Sequence, residues 1–291
     1  CLRAKYLCQF TFSSVHKIMR EAQAKNKKEF TMRRYVIVFI ITFVTIFSLS
    51  EISAYGYGWG YKKGDNNELP DFGKYADIIK EHAAIYADLS GDKVIYFTFD
   101  NGYEQGYTAQ ILDVLKENKV PATFFVTGHY VKSEPELVKR MVDEGHIIGN
   151  HSYHHPDFTT MSKDEIKKEL DMLEQAVAEV SDQQEMMYLR PPRGTFNENT
   201  LKWTSELGYV HVFWSLAFKD WETDKQRGWK YAYDEIVNQA HPGAIVLLHT
   251  VSKDNAAALD KAIRHLKEEG YQFKSLDELM MKTELPKEVM F

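Results

Sequence analysis

The segment His-Ser-Tyr-His-His-Pro at residues 151–156 carries three imidazoles within five positions. His151 and His155 are four residues apart, a spacing that places two ring nitrogens on one face of a turn, as in many metal hydrolases. His154 then points away from that face, and we expect no ligand role for it. The pair is compatible with a divalent metal site, although two satisfied surface histidines would give the same pattern.

An aspartate and two arginines form a second group with chemical potential. Asp100 ends an apolar run in Thr-Phe-Asp-Asn-Gly, and a buried carboxylate needs a cation or a metal-bound water as its partner. Arg190 and Arg193, in the segment Arg-Pro-Pro-Arg-Gly that its prolines stiffen, are available as such cations. Alternatively, Asp100 caps a helix and the two arginines form an ordinary salt-bridged turn.

His249 ends the apolar run Ile-Val-Leu-Leu-His. A histidine in this position is often a structural hydrogen-bonding group, and that alternative stays open. Opposite Asp100 and a pair of metal-binding imidazoles, however, His249 would be placed to act as a general acid. A carboxylate base, a Lewis acid and a separate proton donor are together what amide hydrolysis requires.

Alternating apolar and amphipathic stretches after Gly91 predict the elements that must position these residues. The predicted strands span Val94–Phe99, Ala122–Val126, Ile147–Asn150, Met187–Arg190, Tyr209–Trp214, Ala244–Leu248 and Gln272–Lys274. The predicted helices span Gln105–Asn118, Pro135–Glu144, Lys163–Glu179, Glu198–Leu207, Tyr231–Ala240 and Ala256–Glu269. Capping boxes mark two helix starts, Ser162 with Glu165 and Ser275 with Glu278. The pattern predicts one α/β domain of about seven βα units, whose carboxyl strand ends bring the polar groups to one mouth.

Charge is unevenly distributed along the 291 residues. Residues 1–54 contain nine Lys and Arg against three Asp and Glu, whereas the remainder contains 27 against 39. A surface that acidic repels a phosphate backbone, so we expect no nucleic-acid partner. Both cysteines, Cys1 and Cys8, precede the body of the chain, so the body can form neither a disulfide scaffold nor a Cys-ligated zinc site.

The N-terminal region has the parts of a secretory signal peptide. From Met32 the sequence reads Met-Arg-Arg, then an apolar run at Tyr35–Leu49, then a small residue, Ala54, at the expected cleavage site. An uncleaved membrane anchor is the alternative, although a spanning helix usually needs ~20 apolar residues. We therefore expect an exported protein, secreted or in the cell envelope. Residues 1–31 are expected to be an added or upstream piece, and residues 32–54 the signal peptide. Residues 55–91 are predicted to form an N-terminal arm with a helix at Tyr75–Ala87. The main domain is predicted at residues 92–282 and a tail at residues 283–291.

Five sequence motifs resemble those of the polysaccharide deacetylases, the NodB-homology domain or family 4 carbohydrate esterases. They are Thr-Phe-Asp-Asn, His-Ser-x-x-His-Pro, Arg-Pro-Pro-x-Gly, Trp followed by Asp-Trp, and Leu-Leu-His, and they stand in the family's order. The first three are most similar to the branch that includes the delta-lactam-biosynthetic de-N-acetylases of spore-forming bacteria, which acts on N-acetylmuramic acid in peptidoglycan. The resemblance implies a distorted (β/α) barrel of about seven parallel strands, and a hydrolase that removes N-acetyl groups from a polysaccharide.

The resemblance also implies a role for each site residue. Asp100 would be the general base, ionised at low pH, and His249 would stay protonated until it donates to the departing amine. His151 and His155 would hold a divalent metal, with zinc expected, that polarises the acetamide carbonyl. Either arginine of Arg-Pro-Pro-Arg would orient the base or grip the substrate. The residues expected at the substrate are Arg190, Arg193, Tyr103, Trp214 and Trp221.

Two positions depart from the family pattern. Asn101 stands where most members have a metal-ligating Asp. Its neutral amide oxygen gives less charge to a cation, so we expect a weaker metal site and a less certain ion identity. Ala217 stands where many members carry an Asp that tunes the catalytic histidine.

The expected function is deacetylation of N-acetylmuramic acid residues in peptidoglycan glycan strands, leading to muramic delta-lactam in the spore cortex. The alternatives are a deacetylase of chitin-type or xylan-type oligosaccharides and a catalytically silent glycan-binding protein. Arg193 favours the first function, because a guanidinium suits the lactyl carboxylate of muramic acid, which the other two polymers lack. We expect no stable protein partner.

Overall fold

The computed structural model describes residues 17, 19–20, 32–34, 56–64 and 67–284. The chain divides into two compact units, Cys1–Ser53 and Ala54–Phe291. Within the first unit only short helical pieces are described, so most of the predicted signal peptide lies outside the described residues. None of the helices in the described part of the chain is long and apolar enough to cross a membrane.

Eight strands of the second unit form one sheet in which every pairing is parallel. They are β2 (Ala84–Ile85), β3 (Val94–Asn101), β4 (Ala122–Val126), β5 (Ile147–Asn150), β6 (Tyr188–Leu189), β8 (Val210–Val212), β9 (Ala244–His249) and β10 (Gln272–Phe273). Their order is β10-β3-β4-β5-β6-β8-β2, and β9 pairs with β3. All seven predicted strands are therefore confirmed, and β2 is an eighth that was not predicted.

The sheet curls until the chain that follows β8 reaches β9. The backbone N–H groups of Ser215 and Leu216 donate to the carbonyl oxygen of Ile245 at 3.0 and 3.2 Å, and Leu247 donates back to Leu216 at 2.9 Å. These bonds, with the parallel bridge between Leu216 and Val246, tie the two parts of the sheet together. The predicted distorted (β/α) barrel is thus confirmed as a curled, incomplete barrel of parallel strands.

Helices accompany the sheet between its strands. They are α1 (Lys74–Ile79), α2 (Thr108–Asn118), α3 (Gly128–Ser133), α4 (Pro135–Asp143), α5 (Lys163–Val180), α6 (Glu198–Glu206), α7 (Trp229–Gln239), α8 (Lys253–Glu268) and α9 (Leu276–Glu284). The predicted capping boxes are both present, at Ser162 with Glu165 and at Ser275 with Glu278. The short helix α3 was not predicted, and it supplies part of the cleft described below.

Alternation along β3 separates two apolar layers. Phe97 and Phe99 belong to the large core between the sheet and the helices. Val94 and Tyr96 belong to a smaller cluster on the opposite face, inside the curl of the sheet. Because side chains alternate along a strand, Asp100 continues the inward series and reaches the mouth of the curl.

The arm that precedes the main domain differs from its prediction. The predicted helix Tyr75–Ala87 is wrong beyond Ile79, because the chain leaves the helix and forms β2 beside β8. Strand β1 (Tyr57–Gly58) pairs antiparallel with β7 (Thr195–Phe196). Between these contacts Trp59 is buried, with its ring stacked 4.4 Å from that of Phe213 and its Nε1 donating to the Trp214 carbonyl at 2.9 Å.

Replacing Trp59 tests whether the arm stabilises the domain. Trp59→Ala should lower the free energy of unfolding by about 3–5 kcal/mol, because it removes a buried indole and leaves a cavity. Trp229→Ala on α7, where the indole is 45% exposed, is the matched control and should change it by about 1 kcal/mol or less. Urea unfolding followed by circular dichroism measures both, and equal effects would contradict the arm's structural role.

Candidate active site

Asp100 is the second-last residue of β3 and His249 is the last residue of the neighbouring β9. The two lie in register, so their side chains leave the same face of the sheet side by side. Both line a cleft of about 630 Å³ at the carboxyl end of the sheet. The other lining residues are Gly102, Tyr103, Thr127, Gly128, His129, Lys132, His151, Tyr153, His154, His155, Trp221 and Val251. The cleft therefore brings together members of all three predicted chemical groups.

Asp100 is held by a fully buried arginine. Arg190 Nη1 donates to Asp100 Oδ1 at 2.8 Å, Nη2 donates to Thr98 Oγ1 at 2.8 Å, and Nε donates to the Val212 carbonyl at 3.0 Å. Burial alone would raise the pKa of Asp100, but the Arg190 charge holds that pKa below its usual range. Asp100 is therefore an ionised carboxylate within β3 and not a helix cap.

The burial of Arg190 decides between its two expected roles. Its side chain is 0% exposed and its guanidinium carbon lies 4.2 Å from the centroid of the Phe125 ring. A group enclosed in this way has no surface to offer a sugar. Orientation of Asp100 is the role that the geometry supports.

His249 is held by an aspartate to which the sequence analysis gave no role. His249 Nδ1 donates to Asp220 Oδ1 at 2.7 Å, and its backbone N–H donates to Oδ2 at 2.8 Å. Asn255 Nδ2 also donates to Asp220 Oδ2, at 2.6 Å. Burial alone would lower the pKa of His249, but the Asp220 carboxylate raises it above its ordinary value.

Asp220 supplies the carboxylate that position 217 lacks. It lies three residues after Ala217 and pairs with His249. The signal was present in the sequence, because Asp220 is the Asp of the Asp-Trp motif. The next residue, Trp221, packs its ring 5.4 Å from that of His249. The directions expected for the pKa values of Asp100 and His249 are both found.

The His151 and His155 rings lie together in a perpendicular arrangement, 4.8 Å apart between centroids. His151 Nδ1 donates to the Arg190 carbonyl at 2.8 Å, which leaves Nε2 facing Asp100 Oδ2 at 3.6 Å. Burial lowers the pKa of His151, and burial together with the neighbouring His151 lowers that of His155 to about 4. His154 is turned outward and bonds Glu169 at 2.7 Å, so the absence of a ligand role is consistent with its geometry.

Backbone conformation in the loops around the imidazoles is unusual. Ser152, His155 and Arg193 all adopt left-handed φ values, between 58° and 62°. Local hydrogen bonds hold the first two, since Asn150 Oδ1 accepts from the Ser152 N–H and Ser152 Oγ accepts from the His155 N–H, both at 2.9 Å. Left-handed conformations at residues other than glycine cost free energy and cluster at functional sites.

The residues present fit a metal held mainly by two imidazoles. Neutral imidazoles suit a divalent cation, and a backbone carbonyl on the second ring nitrogen is a usual partner of a metal-ligating histidine. Asn101 Oδ1 is buried and accepts no hydrogen bond, so it keeps a free lone pair, but Asn101 does not line the cleft and its Nδ2 donates to Thr250 Oγ1 at 2.8 Å. Within the described residues no group of three or more His, Cys, Asp or Glu could hold a metal.

The remaining residues expected at the substrate divide into two sets. Tyr103 and Trp221 line the cleft with side chains 45% and 47% exposed, as stacking on a sugar requires. Arg193 is exposed but is not among the lining residues. Trp214 packs on the Arg190 guanidinium, 5.5 Å from its carbon, and against Gly194. It is not among the lining residues and contacts the buried arginine that holds Asp100. The lining residues of α3 and Tyr153 were not predicted from the sequence.

Comparison with known proteins agrees with this geometry. The family described as polysaccharide deacetylase matches residues 88–212. The peptidoglycan-N-acetylmuramic acid deacetylase PdaA of Bacillus subtilis is 57% identical over 228 residues, which are 78% of this chain and 87% of PdaA. The solved structure of that PdaA, a family 4 carbohydrate esterase, has a TM-score of 0.78 and covers 79% of this chain and 99% of its own.

Two structures from Bacillus anthracis are also similar. A family 4 carbohydrate esterase is 49% identical, with a TM-score of 0.66 over 78% of this chain and 96% of that one. A pseudoenzyme of the same family is 31% identical, with a TM-score of 0.63 over 68% of each chain. Identity at this level over most of the length of such relatives is more than a shared fold. The chain belongs to the polysaccharide deacetylases, the family 4 carbohydrate esterases, which are hydrolases of carbon–nitrogen bonds other than peptide bonds.

Proposed function

We propose that the protein removes the acetyl group from N-acetylmuramic acid residues of peptidoglycan. The observation that carries the proposal is the pairing of Asp100 and His249 at one cleft, each held by a buried partner of opposite charge. The similarity to PdaA supports this choice of sugar. As part of the same proposal, the protein acts in the cell envelope after export, and its product leads to muramic delta-lactam in the spore cortex.

Asp100 is the general base of the proposed reaction. Arg190 holds Oδ1, so Oδ2 is the oxygen that takes a proton from the attacking water. The low pKa of Asp100 keeps the carboxylate ionised across the neutral range, and the ion pair fixes its orientation. The water then adds to the acetamide carbonyl carbon, and a tetrahedral intermediate forms.

His249 is the general acid. Because its Nδ1–H donates to Asp220, its Nε2 is the nitrogen available to the cleft. The raised pKa of His249 keeps Nε2 protonated, and this proton goes to the departing amine as the C–N bond breaks. Acetate and the free amino sugar are the products. Tyr103 and Trp221 would hold the sugar ring by stacking at the cleft surface.

Deacetylases of this family are metalloenzymes. In this chain His151 and His155 would hold the ion, with zinc the proposed metal, and when bound it would polarise the acetamide carbonyl. The chain's own contribution is to keep both imidazoles neutral and oriented, through burial and through the Arg190 carbonyl.

Two alternatives remain as outcomes of experiment. A catalytically silent glycan-binding protein has a precedent in the pseudoenzyme of the same family. The complete pairing of both proton-transfer residues argues against it, because a binding protein has no need of an ionised base beside a protonated acid. A chitin-type deacetylase would act on neutral oligosaccharides at least as well as on glycan strands that contain muramic acid.

The base can be tested by a single substitution. Asp100→Asn keeps the shape but cannot accept the proton, so acetate release from muramic-acid-containing glycan should fall by about 100- to 10,000-fold. Asp164→Asn, an exposed change at the start of α5, is the matched control and should retain full activity. An Asp100→Asn protein that is folded by circular dichroism and as active as the parent would exclude this mechanism.

The pH profile tests the pairing of His249 with Asp220. The acid works only while protonated, so activity should fall as pH rises through the raised pKa of His249. Asp220→Asn removes the charge that raises this pKa, so the alkaline limb should move to lower pH. Asp224→Asn, an exposed change on the same loop, should leave the limb in place. A limb that does not move in Asp220→Asn would refute the role of Asp220.

Isothermal titration with Zn²⁺ tests the two-imidazole site. The parent should bind one ion, weakly, because no second carboxylate completes the site within the described residues. His151→Ala and His155→Ala should each abolish the binding, whereas His154→Ala, in the same motif but bonded to Glu169, should not. Equal binding by all four proteins would place the ion elsewhere.

A further inference from the structure

Lys132 is a positive charge inside the cleft to which the mechanism gives no role. It lies in α3, its side chain is exposed, and it is the single Lys or Arg among the lining residues of the cleft in the described part of the chain. No carboxylate of the described residues lies within ion-pair distance of its Nζ. The Lys132 Nζ lies over the face of the Tyr153 ring, 5.1 Å from its centroid.

Helix α3, which carries Lys132, is bonded to two loops that line the cleft. Thr127 caps α3, where its Oγ1 accepts from the Tyr130 N–H at 3.3 Å and donates to the Gly102 carbonyl at 3.1 Å. This bond ties α3 to the chain that follows β3. Helix α3, which carries Lys132, is therefore fixed relative to Asp100.

Gly128 makes the bond to the second of these loops. Its N–H donates to the Tyr153 carbonyl at 3.0 Å, and a Cβ at Gly128 would lie 2.4 Å from the Tyr153 ring. The absence of a side chain thus lets the ring pack directly on the helix backbone. Tyr153 belongs to the same loop as His151 and His155, so Lys132 contacts the loop that carries the proposed metal pair and lines the same cleft.

An N-acetylmuramic acid residue that bears no stem peptide carries an anion next to its reacting group. The lactyl ether on O3 is adjacent to the acetamide on C2, so the free lactyl carboxylate of such a residue lies close to the amide under attack. An unpaired ammonium over an aromatic face is a suitable partner, because it gains a charge-assisted hydrogen bond without first breaking an ion pair. Resting on the proposed function, we propose that Lys132 receives the lactyl carboxylate and selects muramic acid over neutral N-acetyl sugars.

This assignment replaces the expectation that Arg193 receives that carboxylate. Arg193 does not line the cleft, and the left-handed turn of the Arg-Pro-Pro-Arg segment leaves it exposed outside the lining set. Lys132 lines the same cleft as the base and the acid. Neutralising Lys132 and neutralising Arg193 should therefore have different effects on activity.

Two glycans that differ only in charge test the proposal. One is a muramic-acid-containing oligosaccharide with free lactyl carboxylates, and the other is the same oligosaccharide with each carboxylate converted to its methyl amide. Lys132→Met should lower kcat/KM on the charged glycan by about 10- to 100-fold, mainly through KM, and leave the neutral glycan unchanged. Lys132→Arg should restore most of the loss, and Lys168→Met on α5 should behave as the parent. Arg193→Met should change kcat/KM for the two glycans by the same factor.

Ionic strength gives a second readout. Salt screens an exposed ion pair, so KM of the parent for the charged glycan should rise with added NaCl, and this dependence should disappear in Lys132→Met. Equal kcat/KM of parent and Lys132→Met on the charged glycan would overturn the role of Lys132 while the proposed function stands. A lower kcat/KM of Arg193→Met on the charged glycan only, with Lys132→Met unchanged, would also overturn the role of Lys132. A folded parent that releases no acetate from either glycan would overturn the proposed function, and the role of Lys132 with it.

Discussion

The ion pair between Arg190 and Asp100 is the interaction on which the site depends. Both side chains are buried at the mouth of the curled sheet, and neither charge would be tolerated there without the other. The arginine also fixes His151 through its backbone carbonyl. One residue thereby sets the ionisation of the base, its orientation and the direction of an imidazole. This coupling explains how Arg190, which is not exposed to solvent, contributes to the catalytic cleft.

The sequence predicted the parallel sheet and the grouping of the site because both depend on local patterns. Apolar runs of strand length alternate with amphipathic helices, and polar residues follow those runs at their carboxyl ends. Asp100 and His249 were placed at one mouth by this argument alone, and the register of β3 with β9 makes them direct neighbours. The side chains of Tyr103 and Trp221 were likewise expected at the substrate and do line the cleft.

The parts that were wrong or missed depend on long-range contacts. The helix predicted at Tyr75–Ala87 stops early because β8 recruits Ala84–Ile85 as a sheet neighbour, and no local pattern announces that pairing. Whether position 217 or Asp220 reaches His249 depends on the path of the chain after Leu216 bonds β9. Local periodicity contains no information about such paths.

The division between Arg190 and Arg193 has the same origin. Both stand in one short motif and both are cations, so the sequence alone treats them as equivalent. One continues the line of β6 into the buried layer, whereas the other follows a reversal of the chain. The buried Arg190 therefore pairs with the base Asp100, and the cation that lines the cleft is Lys132 of α3. Helix α3 is too short to be predicted from periodicity.

The left-handed residues Ser152, His155 and Arg193 link the shape of the site to the stability of the fold. Each conformation costs of the order of 1–3 kcal/mol in the folded state and nothing in the unfolded chain. Glycine would adopt the same conformations without that cost, yet it would also let the loops move. At His155, glycine would also remove a proposed metal ligand, so the cost of this conformation cannot be relieved by glycine without loss of the site. The fold therefore offsets a local conformational cost at three positions around a pre-shaped site, and this cost lowers the stability of the folded state.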